Sequence, residues 1–196
     1  MTAMTTAAPD GPALPIRTER LLLRPFRSGD VEDALGYYGD PAVARYLLSE
    51  PHSRSDAERF VAERSQQTDP RRSGEPLVLA AEHDGRVIGD VVLILVGGEL
   101  PAGQVPSIGE IGWSFHPDRG GRGLATEAAR AMLDLAFGHY RLHRVKAQLD
   151  ARNVASSRLC ERLGMTREAH LRQDWWSKGE WTDTLVYGLL AEEWAP

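Results

Sequence analysis

The chain is short of cysteine, of excess positive charge and of long apolar runs, and each shortage closes off a class of protein. Cys160 is the only cysteine among 196 residues, so neither an internal disulfide nor a cysteine-based zinc cluster can form, in keeping with a reducing compartment. A formal charge of −5 offers no general attraction to nucleic acid or to an anionic membrane surface, and neither is expected as a partner. Acidic balance suits a cationic or amine substrate instead. No stretch is long enough to span a bilayer. The opening residues, MTAMTTAAPDGPALP, have neither a basic start nor an apolar run, so they read as a loose tail over residues 1–13 rather than a signal peptide. A cytoplasmic protein is expected. His139 and His143 lie near an expected helix end with no third ligand nearby, so no metal site is expected.

What remains is enough for one domain over residues 14–196, because 42% hydrophobic residues can bury a sizeable core. RLLLRPFR, from Arg20 to Arg27, suggests a short strand, and Ser28-Gly29-Asp30 then caps a helix to about Tyr38. A second helix is expected from Ala42 to Leu48 and a third from Ser53, with Ala57, Phe60 and Val61 on its inner side. Leu77 to Glu82 and Arg86 to Val96 flank Asp84-Gly85, a strong hairpin signal. A Gly/Pro-rich loop from Gly97 to Pro106 leads to a strand from Ile108 to His116. Then come a glycine loop, a helix to about Phe137 with Gly138 as its cap, a strand from Arg144 to Leu149, a helix from Asn153 to Leu163 closed by Gly164, and strands resuming to Leu190. The late strand, helix, strand, helix order implies one parallel pair in a mixed sheet, hence a mixed α/β (α+β) fold.

The glycine loop carries the chemistry. HPDRGGRGLATEAARAM, residues 116–132, runs from a strand through a glycine cluster into an alanine-rich helix. A helix start exposes N–H groups without internal partners and about half a positive charge, and glycines ahead of it let successive N–H groups form a nest for phosphate oxygens. Two nucleotide motifs are excluded. Gly123 is followed by Leu124 and Ala125 instead of Lys-Ser/Thr, and Thr126 stands where a dinucleotide fingerprint needs its third glycine.

The nest, the strand beyond its helix and ARNVASSRLCERLGM together resemble the GNAT N-acetyltransferases, which bind acetyl-coenzyme A. RLLLRPF, GEIGWSFHP, GRGLATEA, NVASSRLCERLGM and KGEWTDTLVYGLLAEEW look like the RimJ/RimL branch, which acetylates the N-terminal amine of ribosomal proteins. The likeness runs from Leu14 to Trp194. It implies transfer of acetyl from acetyl-coenzyme A to a primary amine, on a protein N-terminus or a small molecule, by direct attack in a ternary complex. Acylation of an aminoglycoside or similar small amine is one alternative; a non-catalytic acyl-coenzyme A binding module is another. A homodimer is also implied, with the aromatic C-terminal segment as an interface.

By the same likeness the cofactor contacts fall on Phe115, His116, Gly121, Arg122, Gly123, Leu124, Ala125, Thr126, Asn153, Ser156 and Cys160. Gly120 departs from the Gln or Arg that opens the family loop, although Arg119 is beside it. Along the strand, a period of two puts Glu110, Gly112 and Ser114 on one face. Glu110 is expected to act on the acceptor amine, as a base through water or as a substrate-binding carboxylate, and Gly112 to mark a bulge that splays the strand. Asn153, Ser156 and Cys160 share one helix stripe, beside an apolar stripe of Ala155, Leu159 and Leu163. Ser156 matches the serine proposed in this branch to protonate the departing thiolate; Cys160 stands where other members carry a tyrosine. Trp175, Trp176 and Trp181 are expected in the core, with an acceptor-pocket wall as the other reading.

Overall fold

The computed structural model describes residues 11–96 and 107–194; residues 1–10 of the expected tail and the expected loop from Gly97 to Pro106 lie outside them. Eight strands form one sheet among the described residues: β1 (Ile16–Arg17), β2 (Leu22–Arg24), β3 (Pro76–His83), β4 (Arg86–Val96), β5 (Ile108–Phe115), β6 (Arg144–Asp150), β7 (Thr166–Ser177) and β8 (Glu180–Leu190). Their order is β1-β2-β3-β4-β5-β6-β8-β7. Every neighbouring pair is antiparallel except β5 and β6, the expected parallel pair. The helices are α1 (Val31–Tyr38), α2 (Pro41–Ala44), α3 (Arg54–Arg64), α4 (Leu124–Asp134) and α5 (Val154–Arg162).

Local chemistry explains most of these boundaries. Asp84 and Gly85 have φ of 51° and 73°, the doubly left-handed turn whose twist matches a hairpin. Ser53 caps α3 and exchanges bonds with Asp56 in a capping box, which satisfies two orphan donors at once. Strand β3 is buried on both faces: Leu77, Leu79 and Ala81 join the core under α4 and α5, while Val78 and Ala80 join the core under α1 and α3. Alternation on a pleated strand makes that division automatic, and it leaves β3 to β5 as the shared floor of both layers.

Three expectations change. Helix α2 ends at Ala44 instead of Leu48, and Tyr46, Leu47 and Leu48 wall two cavities described below. Gly138 is no cap: α4 widens into a π-turn over Leu135–His139 and the left-handed residue at the exit is Arg141, with φ of 52°. The tryptophans are not core. Trp175, Trp176 and Trp181 are exposed, on the hairpin of β8 with β7, the edge strand of the sheet.

Candidate functional site

Strands β5 and β6 are paired only where they begin. Ile108, Gly109 and Glu110 face Arg144, Val145 and Lys146, after which Ile111 to Phe115 and Ala147 to Asp150 run on without pairing each other. The parting was expected, but its cause is different. The β4/β5 register is unbroken from Val96↔Ile108 to Gly89↔Phe115, so Gly112 makes no bulge; β6 diverges from β5 while β5 stays on β4. A cavity of about 360 Å³ fills the gap, lined by Ile111 to Ser114 on one side, Ala147 to Asp150 on the other, and Asn153 and Ser156 at the start of α5. Next to it, and sharing Tyr46 to Leu48 and Gln148 to Asp150, lies a second cavity of about 330 Å³ lined also by Arg45, Glu110, Asp174 and Trp175.

At the far end of β5 the chain turns through His116, a short helix over Pro117–Arg119 and the glycines. Gly121 and Gly123 have φ of 74° and 77°, a region that suits glycine alone without strain. Gly123 is the N-cap of α4 and, among the described residues, no side chain caps that helix, so its first N–H groups stay available to an anion. Residues 120–123 are exposed, while Leu124 is buried and anchors the helix start. Phe115 packs against Gly89 so closely that a Cβ there would stand 2.6 Å from its ring. The His116 ring accepts from the Asp118 N–H at 3.2 Å. Ala125 is half-buried, and the Thr126 hydroxyl accepts from Arg162 at 3.3 Å, tying α4 to α5.

Arg20 completes this corner, a residue the sequence marked only as the start of a strand. Its guanidinium donates to the Arg122 carbonyl at 2.8 Å and pairs with Glu127 at 2.6 Å. Glu127 also accepts from the Thr18 hydroxyl at 2.6 Å and the Arg20 N–H at 2.8 Å. Partial burial opposes ionisation of Glu127, yet these donors hold its carboxyl below its ordinary value. The carbonyl of Arg122 is thereby held within the nest's framework while the Arg122 side chain is exposed.

At the start of α5, the Asn153 side chain accepts from the Ser156 N–H at 3.1 Å, the expected cap. The Ser156 hydroxyl oxygen accepts from the Trp113 indole N–H at 3.2 Å, so its own proton remains free for a second partner. Cys160 does not share that polar position. It has no exposed surface and packs with Leu159 and Leu163 in the core, and burial pushes its thiol up to about 12. Ser156 and Cys160 lie on one side of the helix, but Cys160 is four residues and about 6 Å further along its axis, within the core. The thiol is thus neither a cofactor contact nor an acid here.

Glu110 stands at the last paired position of the seam and lines the second cavity. Gln148 donates to its Oε2 at 3.2 Å and the Lys146 ammonium lies 3.1 Å from the same oxygen, leaving Oε1 for an incoming cation. A further carboxylate, absent from the sequence reading, lines the first cavity. Asp90 on β4 is 3% exposed and accepts from the Tyr37 hydroxyl at 2.8 Å and the Tyr38 hydroxyl at 3.3 Å. Burial pushes its carboxyl up to about 6 against the two phenol bonds and the Arg64 charge.

A mixed sheet opened along one parallel seam, with a glycine nest and an uncapped helix at the rim, is the framework of an acyltransferase. Residues 20–166 match the acetyltransferase (GNAT) domain, and the chain belongs to that family of N-acetyltransferases, whose members bind acetyl-coenzyme A. The chain is 32% identical to "Uncharacterized N-acetyltransferase YnaD" of Bacillus subtilis (strain 168) over 179 residues, 91% of this chain and 98% of that one. A GNAT-family acetyltransferase from Bacillus anthracis superposes with a TM-score of 0.78 at 28% identity, over 92% of this chain and 100% of the other. Mycobacterium smegmatis RimJ, solved with CoA-disulfide, shares the fold with a TM-score of 0.72 at 22% identity, over 88% of this chain and 83% of its own.

Proposed function

We propose that the chain transfers acetyl from acetyl-coenzyme A to a primary amine by direct attack in a ternary complex, as a member of the RimJ/RimL-like branch. The observation that carries this reading is the unpaired seam between β5 and β6, which ends beside the nest at Gly121 and Gly123. A phosphate-bearing head suits the uncapped N–H groups of α4, and an amide-bearing arm suits strands whose backbone groups face each other unpaired. The RNVASSRLCERLGM block supplies Asn153 and Ser156 beside that arm.

The thioester supplies an activated acyl group with a thiolate leaving group. Ser156, its oxygen already accepting from Trp113, is oriented to give its proton to that thiolate. Glu110, with Oε1 unoccupied and a place in the second cavity, holds the acceptor's ammonium; of the two roles expected for it, substrate binding is the one its surroundings favour. No residue carries the acetyl group, since Cys160 is sealed in the core. The exposed edge-to-face pair Trp176 and Trp181, 5.4 Å between centroids, supports a homodimer, and sedimentation showing only monomer at high concentration would remove that part.

The test is thiol release from acetyl-coenzyme A with a panel of amines: a short peptide with a free N-terminus, a polyamine and an aminoglycoside. Turnover with one class names the acceptor. Coenzyme A binding without turnover on any amine would instead make the chain a binding module. In the active pair, Glu110→Gln should raise the KM for the amine about tenfold or more and leave kcat within a few-fold; a fall in kcat alone would return Glu110 to the role of base.

A further inference from the structure

The ammonium form of an amine cannot attack a thioester, so a proton must leave before the C–N bond forms. Glu110 is engaged with Lys146 and Gln148 at the seam, and the cavity that follows the seam contains another carboxylate. Asp90 pairs with Ser114 on β5 and Ala80 on β3, so its side chain is on the same face as Val92 and Gly112, two residues along. Gly112 contributes no side chain, a Cβ there would stand 3.1 Å from Val92, and Gly112, Ser114, Tyr38 and Asp90 line one cavity. Tyr38, half-buried and lining the same cavity, donates to Asp90 and also engages Ser114. Tyr37 is fully buried behind it. The charged or titratable groups facing this cluster include Arg64 on α3, whose Nη1 donates to Gln67 at 2.8 Å, His52, stacked on the Tyr38 ring at 4.9 Å, Asp30, whose charge acts on Tyr37, and Tyr46 and Asp150 on the cavity wall. A buried carboxylate with phenol donors is a costly element for a fold to retain when its surroundings would accept a neutral side chain. Its position on the cavity adjoining the one that receives the ammonium gives it a use.

We propose that Asp90 is the proton acceptor of the transfer, reached from the substrate amine through the Tyr38 hydroxyl. The proposal rests on the acetyl-transfer reading above. An ammonium proton passes to the Tyr38 oxygen as the phenol proton passes to Asp90, leaving a neutral amine, an intact phenol and a protonated carboxyl. The amine lone pair then forms the C–N bond to the thioester carbon. The C–S bond breaks with its electron pair going to sulfur, the second amine proton reaches the thiolate by way of Ser156, and Asp90 returns its proton to water. A carboxyl that titrates at about 6 is basic enough for this and is free to accept a proton at neutral pH.

The experiment uses acetyl-coenzyme A with the amine of highest turnover in the panel and compares the full-length parent, Asp90→Asn and Tyr38→Phe across pH. Both variants should bind coenzyme A as the parent does. Each should lose about 10² or more in kcat at neutral pH with little change in amine KM. The parent's kcat should rise along an acid limb centred near pH 6, and Asp90→Asn should lack that limb, rising only at alkaline pH where the amine arrives neutral. Parent-like kcat and an unchanged limb in Asp90→Asn would overturn the relay while leaving acetyl transfer intact. If Asp90→Asn fails to fold, Tyr38→Phe decides: it removes one hydroxyl, and parent-like kcat would overturn the relay. A parent inactive on every amine would overturn both readings.

Discussion

Replacing Asp90 by Asn removes a buried charge while nearly preserving the side chain's shape, and its effect on stability can be worked out independently of any reaction. Burial pushes the Asp90 carboxyl up to about 6 against 3.8 for the free group, with the Tyr37 and Tyr38 hydroxyls and Arg64 opposing. The folded state therefore binds this proton more tightly than the unfolded state. The stability so gained is fully present below the unfolded value and is lost as pH rises through the folded one. A difference of about 2 pKa units, at about 1.36 kcal/mol each, gives about 3 kcal/mol between the two limits. Asn does not titrate, so the stability of the parent relative to Asp90→Asn should fall by about 2 kcal/mol from pH 4, just above the unfolded value, to pH 8. Other groups titrate alike in both chains and cancel in the difference. Urea unfolding at half-unit pH steps measures it, with matched m-values checking that the denatured states are comparable. A parent-minus-variant difference that stayed level across that window would refute the reasoning.

Three further outcomes test the rest of the site. Gly123→Val forces a β-branched residue into φ of 77° and should weaken coenzyme A binding more than tenfold by calorimetry; equal affinity would remove the nest assignment. Arg20→Ala releases the Arg122 carbonyl and Glu127; because the guanidinium is partly exposed, stability should change by about 1 kcal/mol or less, whereas coenzyme A affinity should drop several-fold, and unchanged affinity would make Arg20 a surface contact only. Cys160→Ala should cost about 1 kcal/mol of stability through the small cavity it leaves and keep the parent's kcat; a tenfold loss of kcat in a folded variant would restore a chemical role to the thiol.

Features set by neighbours in the chain were legible in the sequence. The Asp84-Gly85 turn, the Ser53 and Asn153 caps and the glycine at 164, with φ of 81°, each follow from a few adjacent residues, and the parallel pair follows from the order of elements. The glycine turn ahead of α4, with Gly121 and Gly123 left-handed, was legible for the same reason. Features set by register were not. Arg20 meets Glu127 and Tyr37 meets Asp90 only because distant strands and helices are brought into line, and no local pattern marks either pair. Cys160 shows a third kind of failure: helical spacing gives the angle around an axis but not the depth along it, so a residue in line with Ser156 sits a turn inside the core. Gly112 was misread because a glycine in a strand is equally a bulge or a place kept empty, and only the continuous β4/β5 register distinguishes them.

The short β5/β6 seam has a consequence for the molecule as a whole. Strands β1 to β5 and strands β6, β8 and β7 are joined within the sheet at three facing residue pairs, and beyond these the two blocks part. On the proposed function, the arm of the acyl donor lies in that parting and supplies the missing rungs, acting as a ninth, removable strand. The donor is then as much a part of the protein's architecture as a reactant in it. Each turnover ends with the departing thiol taking a structural element away, and each new cycle begins by rebuilding the sheet.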